Sequence, residues 1–177
     1  MPVSGLIARP AHIFVCALAL ALGGCGSDQI QTTQPSFYRS MAQPGAELDG
    51  AAAASMISEY RRNNGLGGVA LDPELTRLAE VQSRAMVAKD KLDHNVAGNL
   101  KDRLKRSGYD ARAAAENISA GYHTLAEAFS GWRDSPPHKA NMLNRSATRM
   151  GIAAVYAPNS KFKVFWTLIV AQPDTPS

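Results

Sequence analysis

Three short motifs in the middle of the chain constrain the fold more than any other feature of the sequence. They are LDHNVAG around His94, AAENISAG around Glu116 and WRDSPPHKANML around His138, and neighbouring centres are 22 residues apart. Residues that face each other on one helix are only three or four positions apart. The spacing therefore excludes a single helical face, and only a tertiary fold can bring the two imidazoles and the carboxylate together.

In this order, the motifs resemble those of the CAP superfamily, which is named after cysteine-rich secretory proteins, antigen 5 and pathogenesis-related 1. The likeness is closest to the bacterial branch of small secreted lipoproteins. The most specific string is SPPHKANML, which begins at Ser135 and is similar to the bacterial SPxH and HxxNxL patterns. The resemblance covers residues 49–172 and implies a single α+β domain, a three-layer α-β-α sandwich.

The resemblance also implies a surface cavity that contains His94, His138 and Glu116. The second acid of the family's site is replaced here by Ser135, with Asp134 beside it. This departure argues against acid–base catalysis, which needs two tuned groups. The predicted cavity and ligand-binding residues are His94, Glu116, Asn117, Ser135, His138 and Asn141.

Each motif residue also has a simpler structural interpretation. His138 is predicted at the third position of a short helix, where the positive end of the helix dipole disfavours a charged imidazole. Alternatively, Ser135 only caps this helix and His138 covers its first turn. Glu116 needs a partner if it is buried, and either a histidine or the backbone of a loop would provide one. His94 alone would be an ordinary surface histidine, which is also the interpretation of His123.

Ligand or metal binding is the function that these residues predict. Two neutral imidazoles, His94 and His138, with Glu116 behind them, form an incomplete coordination set for Zn²⁺ or another divalent metal. One alternative is a hydrolase of peptide or cell-wall material that uses His94, Glu116, His138 and Ser135. Another is a non-catalytic envelope module whose histidines only hold the fold. A non-enzymatic role is favoured because the chain lacks GxSxG, HExxH and phosphate-binding glycine motifs.

The first 24 residues are predicted to be a lipoprotein signal peptide. The apolar run from Ile13 to Leu22 is too short to span a bilayer, which needs about 20 apolar residues, and it is followed by Gly-Gly-Cys25. This ending resembles a bacterial lipoprotein site, at which Cys25 becomes acylated; the alternative is an ordinary secretory leader that contains cysteines. We therefore expect Cys25 to anchor the protein in the bacterial envelope, at the outer membrane if the cell has one.

The rest of the chain is divided into a flexible tether (25–48), one domain (49–172) and a tail (173–177). The tether is polar, although Phe37, Tyr38 and Met41 suggest a short arm that lies on the domain. Capping signals and apolar periodicity predict helices that begin near Asp49, Asp72, Thr124 and Ser135, and a C-terminal β-hairpin over 150–156 and 162–170.

The net charge limits the classes of partner that the chain can bind, and the cysteine content limits how the fold can be stabilised. The net charge is only +4 over 177 residues, and the basic residues are interspersed with acids, so nucleic acid is excluded as a partner. The densest basic run, at 101–106, is interpreted as a solvated helix face. If Cys25 is lipidated, no disulfide is available, and a monomer stabilised by its core alone is expected. Its predicted core aromatics are Phe129, Trp132, Phe165 and Trp166.

Overall fold

The structure is a computed structural model that describes residues 1–2 and 34–174. A short 3₁₀ turn at Ser36–Tyr38 precedes the main elements. These are α1 (Gly50–Arg62), β1 (Ala70–Leu71), α2 (Pro73–Lys89), α3 (Leu100–Ser107), β2 (Ala111–Ala120), α4 (Leu125–Asp134), α5 (Pro136–Met142), β3 (Arg149–Tyr156) and β4 (Val164–Pro173). The predicted signal peptide and Cys25 lie outside the described residues. Within those residues, no helix is long and apolar enough to cross a bilayer.

The four strands form one mixed sheet in the order β1-β3-β4-β2. β3 and β4 pair antiparallel as the predicted hairpin, and β2 pairs antiparallel with the other side of β4. Glu116 lies within β2, opposite Ile169. The alanine-rich β2 has weak strand propensity of its own, and its pairing with the apolar β4 overrides that weakness.

Helices cover both faces of the sheet, which confirms the α+β fold and its three layers. Alternate residues of β4 point to opposite faces. On one face, Trp166 and its neighbours pack against α1, α4 and α5 in a core that includes Ile57 and Trp132. On the other face, Ile169 packs with Leu75 of α2 and Leu104 of α3. β4 is therefore apolar along most of its length because both of its faces are buried.

Three of the four predicted core aromatics are fully buried, namely Trp132, Phe165 and Trp166. Phe129 is only partly buried, and its ring packs edge-on against Tyr60 of α1 with the centroids 5.3 Å apart. The prediction is thus wrong in degree for Phe129, which closes the outer end of the α1–α4 contact rather than filling the centre of the core.

Gly151 of β3 allows α2 to pack directly on the sheet. A Cβ atom at this position would lie 2.1 Å from the backbone carbon of Leu75 and 2.2 Å from the backbone nitrogen of Thr76. Real side chains do not tolerate such distances, so the first turn of α2 lies where only a glycine fits beneath it.

A buried arginine joins α1 to the end of α5. The guanidinium of Arg61 donates hydrogen bonds to the carbonyl oxygens of Met142 and Asn144, both at 2.8 Å, and of Ala147 at 2.9 Å. Its Nε atom donates to the carbonyl oxygen of Gly67 at 2.8 Å. These four acceptors compensate the burial of the charge, and they fix the chain that follows α5.

The segment before α1 forms the predicted arm. Phe37 packs against the α1–α4 side of the core and Met41 is buried in it. The backbone N–H of Met41 donates to the carbonyl oxygen of His123 at 2.7 Å. The described part of the predicted tether is therefore packed, and the compact domain begins before Asp49.

Candidate functional site

Glu116 is buried in β2 between two cationic or polar partners. Its side chain is 3% exposed, and its Oε1 atom accepts a hydrogen bond from Nδ1 of His94 at 2.8 Å. Its Oε2 atom accepts from Nη2 of Arg103. A carboxylate can remain in such a position because both of its oxygens are paired.

Arg103 is the site residue that the interpretation of run 101–106 missed. Lys101, Lys105 and Arg106 are exposed as expected, but the Arg103 side chain is only 1% exposed. Its Nε atom donates to the carbonyl oxygen of Gly98 at 2.9 Å. The signal was present in the spacing, because Arg103 lies on the same helical face as Leu100 and Leu104, which pack on the sheet.

His94 lies in the turn between α2 and α3 and its side chain is 51% exposed. The turn is held by buried Gln82, whose Nε2 atom donates to the carbonyl oxygen of Asp93 at 2.8 Å. Because a carboxylate only accepts hydrogen bonds, Glu116 places the proton of neutral His94 on Nδ1 and leaves a lone pair on Nε2. That nitrogen is therefore the one that can bind a metal or a ligand donor.

His138 is on α5, which begins with two prolines after Ser135. Burial lowers the pKa of His138 below its usual value, and the charge that nearby His94 carries when it is protonated lowers this pKa further. The ring is thus kept neutral. Ser135 is the N-cap residue, but its side chain makes no capping hydrogen bond, so the alternative in which its hydroxyl caps the helix does not describe this structure.

Two asparagines attach α5 to β2. The Nδ2 atom of Asn117 donates to the carbonyl oxygen of His138 at 2.9 Å. The Nδ2 atom of Asn141 donates to Asn117 Oδ1 at 2.9 Å and to the carbonyl oxygen of Glu116 at 3.1 Å. The amides of both asparagines therefore hold the backbone of His138 beside Glu116, and Asn117 itself is almost fully buried.

On the His94–His138 face, His94 is half-exposed and His138 is partly buried. Two cavities, of about 890 and 640 Å³, are lined by other residues, the first between α1, α4 and the arm and the second beside α3 and β2. Among the described residues, no group of three or more His, Cys, Asp and Glu side chains is arranged to hold a metal ion. His123 is exposed in the turn before α4.

Comparison with known proteins identifies the fold family. The family model described as "CAP: Cysteine-rich secretory protein family" matches residues 54–170. The chain belongs to the CAP family. The similarity thus spans α1 to β4 and includes all three motifs.

Two proteins of Bacillus subtilis (strain 168) are related to this CAP domain. The uncharacterized protein YkwD is 32% identical over 102 residues, which are 56% of this chain and 40% of YkwD. The uncharacterized membrane protein YlbC is 31% identical over 99 residues, which are 55% of this chain and 29% of YlbC. The match therefore spans less than half the length of either relative.

Solved structures show the same fold. An extracellular protein from Bacillus anthracis that contains an SCP domain is 25% identical, with a TM-score of 0.61 over 70% of this chain and 40% of that one. An outer surface protein of Borrelia burgdorferi is 16% identical, with a TM-score of 0.64 over 70% of this chain and 92% of that one.

Proposed function

We propose that this CAP domain is exported to the cell envelope, where the face formed by His94, Glu116 and His138 binds a ligand. The observation that carries the proposal is the pairing of His94 with a buried carboxylate that is itself fixed by Arg103. This arrangement orients the imidazole and leaves Nε2 open, as the outer partners of metal-binding histidines do. Ligands of lipid, cell-wall or peptide type and divalent cations are the candidates.

Binding is favoured over hydrolysis by the surroundings of the two histidines. The acid nearest to Ser135 in sequence, Asp134, is exposed and paired with Arg133 at 2.8 Å. The Ser135 hydroxyl forms no hydrogen bond with either histidine within residues 34–174. A nucleophile activated by a histidine would need such a contact, whereas a binding face needs only oriented donors and acceptors.

Export is supported by the descriptions of two proteins with similar structures. The Bacillus anthracis protein is described as extracellular and the Borrelia burgdorferi protein as an outer surface protein. Together with the lipoprotein-like leader, these neighbours support a location outside the cytoplasm.

A divalent cation is the simplest probe of the site. His94 Nε2 and a ring nitrogen of His138 would hold it, with the remaining positions left to water or a ligand. Two imidazoles alone give weak binding, so we expect about micromolar or weaker affinity for Zn²⁺ at pH 7.5, measured by titration calorimetry on the full chain. Binding should weaken on acidification, because protons compete with the metal for the imidazoles.

Matched histidine variants test the assignment. The double variant His94→Ala, His138→Ala should lose Zn²⁺ binding while it retains its circular dichroism spectrum. The control His123→Ala removes another exposed histidine of the domain and should bind Zn²⁺ like the parent. Unchanged binding in the double variant would remove the site, and absence of binding in the parent would eliminate the cation as its ligand.

A further inference from the structure

The edge of the sheet along β2 is open at one end. Within the described residues β2 pairs only with β4. In an antiparallel ladder, alternate residues direct both backbone groups to the partner strand. The N–H of Gly121 donates to the carbonyl oxygen of Val164 in the hairpin. From Ala113 onward, the backbone groups of the odd-numbered residues of β2 therefore face β4, and those of the even-numbered ones, including Ala114 and Glu116, face away from the sheet. The register of the ladder shifts between Ala111 and Ala113, so this alternation does not continue to the start of β2.

Only the C-terminal half of this edge is covered. The outward carbonyl oxygen of Glu116 accepts a hydrogen bond from Asn141 of α5. The outward N–H and C=O groups of Ala114 have no hydrogen-bond partner in the described part of the chain. Unpaired groups on a strand edge are a template for another extended segment.

A groove of about 640 Å³ runs beside this open half. Four consecutive β2 residues, Ala111 to Ala114, form one wall, and α3 forms the other. Leu100 and Leu104 of α3 pack with Ala111 and Ala114 and form the apolar part of the lining, while the rest of the lining is polar. The irregularity between Ala111 and Ala113 interrupts this edge, so the regular part that is open to an extended peptide is centred on Ala114.

The rim of the groove has unpaired positive charge. Lys101 and Lys105 lie one turn apart on α3, both exposed, and neither forms an ion pair with a described residue. Arg112 is neutralised by Asp174 at 2.8 Å. Asp110 and Asp174 also line the groove, next to β2 and β4, so the surplus of positive charge lies on α3, and this side of the groove is complementary to an acidic segment. A second copy of the domain paired through the same edge would instead bring two like-charged lysine pairs together.

We propose that β2 accepts an extended acidic peptide as a fifth strand, seated between Ala111–Ala114 and α3. Its backbone pairs with the outward groups of Ala114, as in recognition by strand addition. Its acidic side chains contact Lys101 and Lys105, and its apolar side chains lie on Leu100 and Leu104. This surface is separate from the His94–His138 face and goes beyond the function proposed for that face.

The lysines give the first test. The probe is a capped hexapeptide of alternating glutamate and valine, titrated into the full chain at low salt. Lys105→Glu should weaken binding at least tenfold because it reverses a charge on the rim. The matched control is Lys89→Glu, which removes an exposed lysine from the last turn of α2 and should leave the affinity within twofold of the parent.

A proline in the edge gives the second test. Ala114→Pro removes an outward N–H but no ladder hydrogen bond to β4, and edge strands tolerate proline at such positions. It should abolish peptide binding while the melting temperature stays close to that of the parent. If this variant does not fold, Lys105→Glu against Lys89→Glu decides the matter alone.

Three results would overturn the proposal. They are no binding by the parent at millimolar peptide, parental affinity in folded Ala114→Pro or in Lys105→Glu, and a dimer of the parent in analytical ultracentrifugation that Ala114→Pro dissociates. The last result would assign the edge to a second copy of the chain.

Discussion

At the scale of single residues, Glu116 is the side chain on which the site depends. Glu116→Gln would leave the guanidinium of Arg103 buried without its counter-charge, and Nη1 of Arg103 already lacks a partner among the described residues. We expect the free energy of unfolding to fall by about 3–5 kcal/mol. Urea denaturation followed by circular dichroism measures this loss.

The control for this prediction is His94→Gln, which removes the other partner of Glu116. Because His94 is half-exposed, its loss should cost less than about 1 kcal/mol. Equal losses in the two variants would show that the buried pair with Arg103 is not the dominant contact of Glu116.

The pKa of His138 makes stability depend on pH. This pKa is lowered in the folded protein by burial and then by the charge of His94, so the unfolded state binds the proton more readily. The stabilisation is therefore complete above the unfolded pKa of about 6.5 and is lost as the pH falls through the lower folded-state pKa. The melting temperature should drop between pH 7.5 and pH 5.

Substitution separates this effect from general acid denaturation. His138→Asn should reduce the drop in melting temperature between pH 7.5 and pH 5, while His123→Asn, on the exposed turn before α4, should leave it unchanged. A drop of the same size in His138→Asn and in the parent would mean that other groups cause the pH dependence.

At the scale of elements, the contact between α2 and β3 is the least tolerant of change. Gly151→Ala would place a methyl group against the backbone of the first turn of α2, and the helix would have to move. We expect a loss of roughly 1–3 kcal/mol or more in the free energy of unfolding, measured by urea denaturation. Gly67→Ala is the control, since no atom lies within 4 Å of a Cβ at that position; its melting should be nearly that of the parent.

Elements with local signals could be predicted from the sequence, and elements that depend on distant pairing could not. The capping residues Asp49, Asp72 and Thr124 each precede the helix that they predict, and aromatic and β-branched residues indicate the hairpin. β2 is rich in alanine and becomes a strand only because it pairs with β4. Two-residue β1 has no periodicity from which to infer it.

The residues of the candidate site also fall into those that could be predicted from the sequence and those that could not. The motifs singled out His94, Glu116 and His138, and chemistry alone anticipated that a buried Glu116 needs a partner. Arg103 was missed because the other basic residues of the run, Lys101, Lys105 and Arg106, are exposed, which hides one buried guanidinium among solvated charges. The contacts of Asn117 and Asn141 depend on the docking of α5 against β2, which local sequence does not encode.

At the scale of the whole molecule, the predicted attachment to a membrane depends on Cys25. Each buried CH₂ group contributes about 0.8 kcal/mol, so the two or three acyl chains expected on a lipoprotein cysteine exceed what stable attachment needs. Cys25→Ser should leave an unprocessed or soluble protein when cells are fractionated. Cys16→Ser changes the other cysteine of the leader and should mature and fractionate like the parent. Normal maturation of Cys25→Ser in the membrane fraction would contradict the lipoprotein prediction.

The Arg61 contacts bear on the order in which this molecule folds. α5 has only seven residues, fewer than an isolated helix needs in water. Its last carbonyl and two carbonyls of the chain that follows it are held by a guanidinium 81 to 86 positions earlier in the chain. Contacts over such separations form late, because a long loop must close first. We therefore expect the segment that carries His138 to become ordered only after α1 has docked.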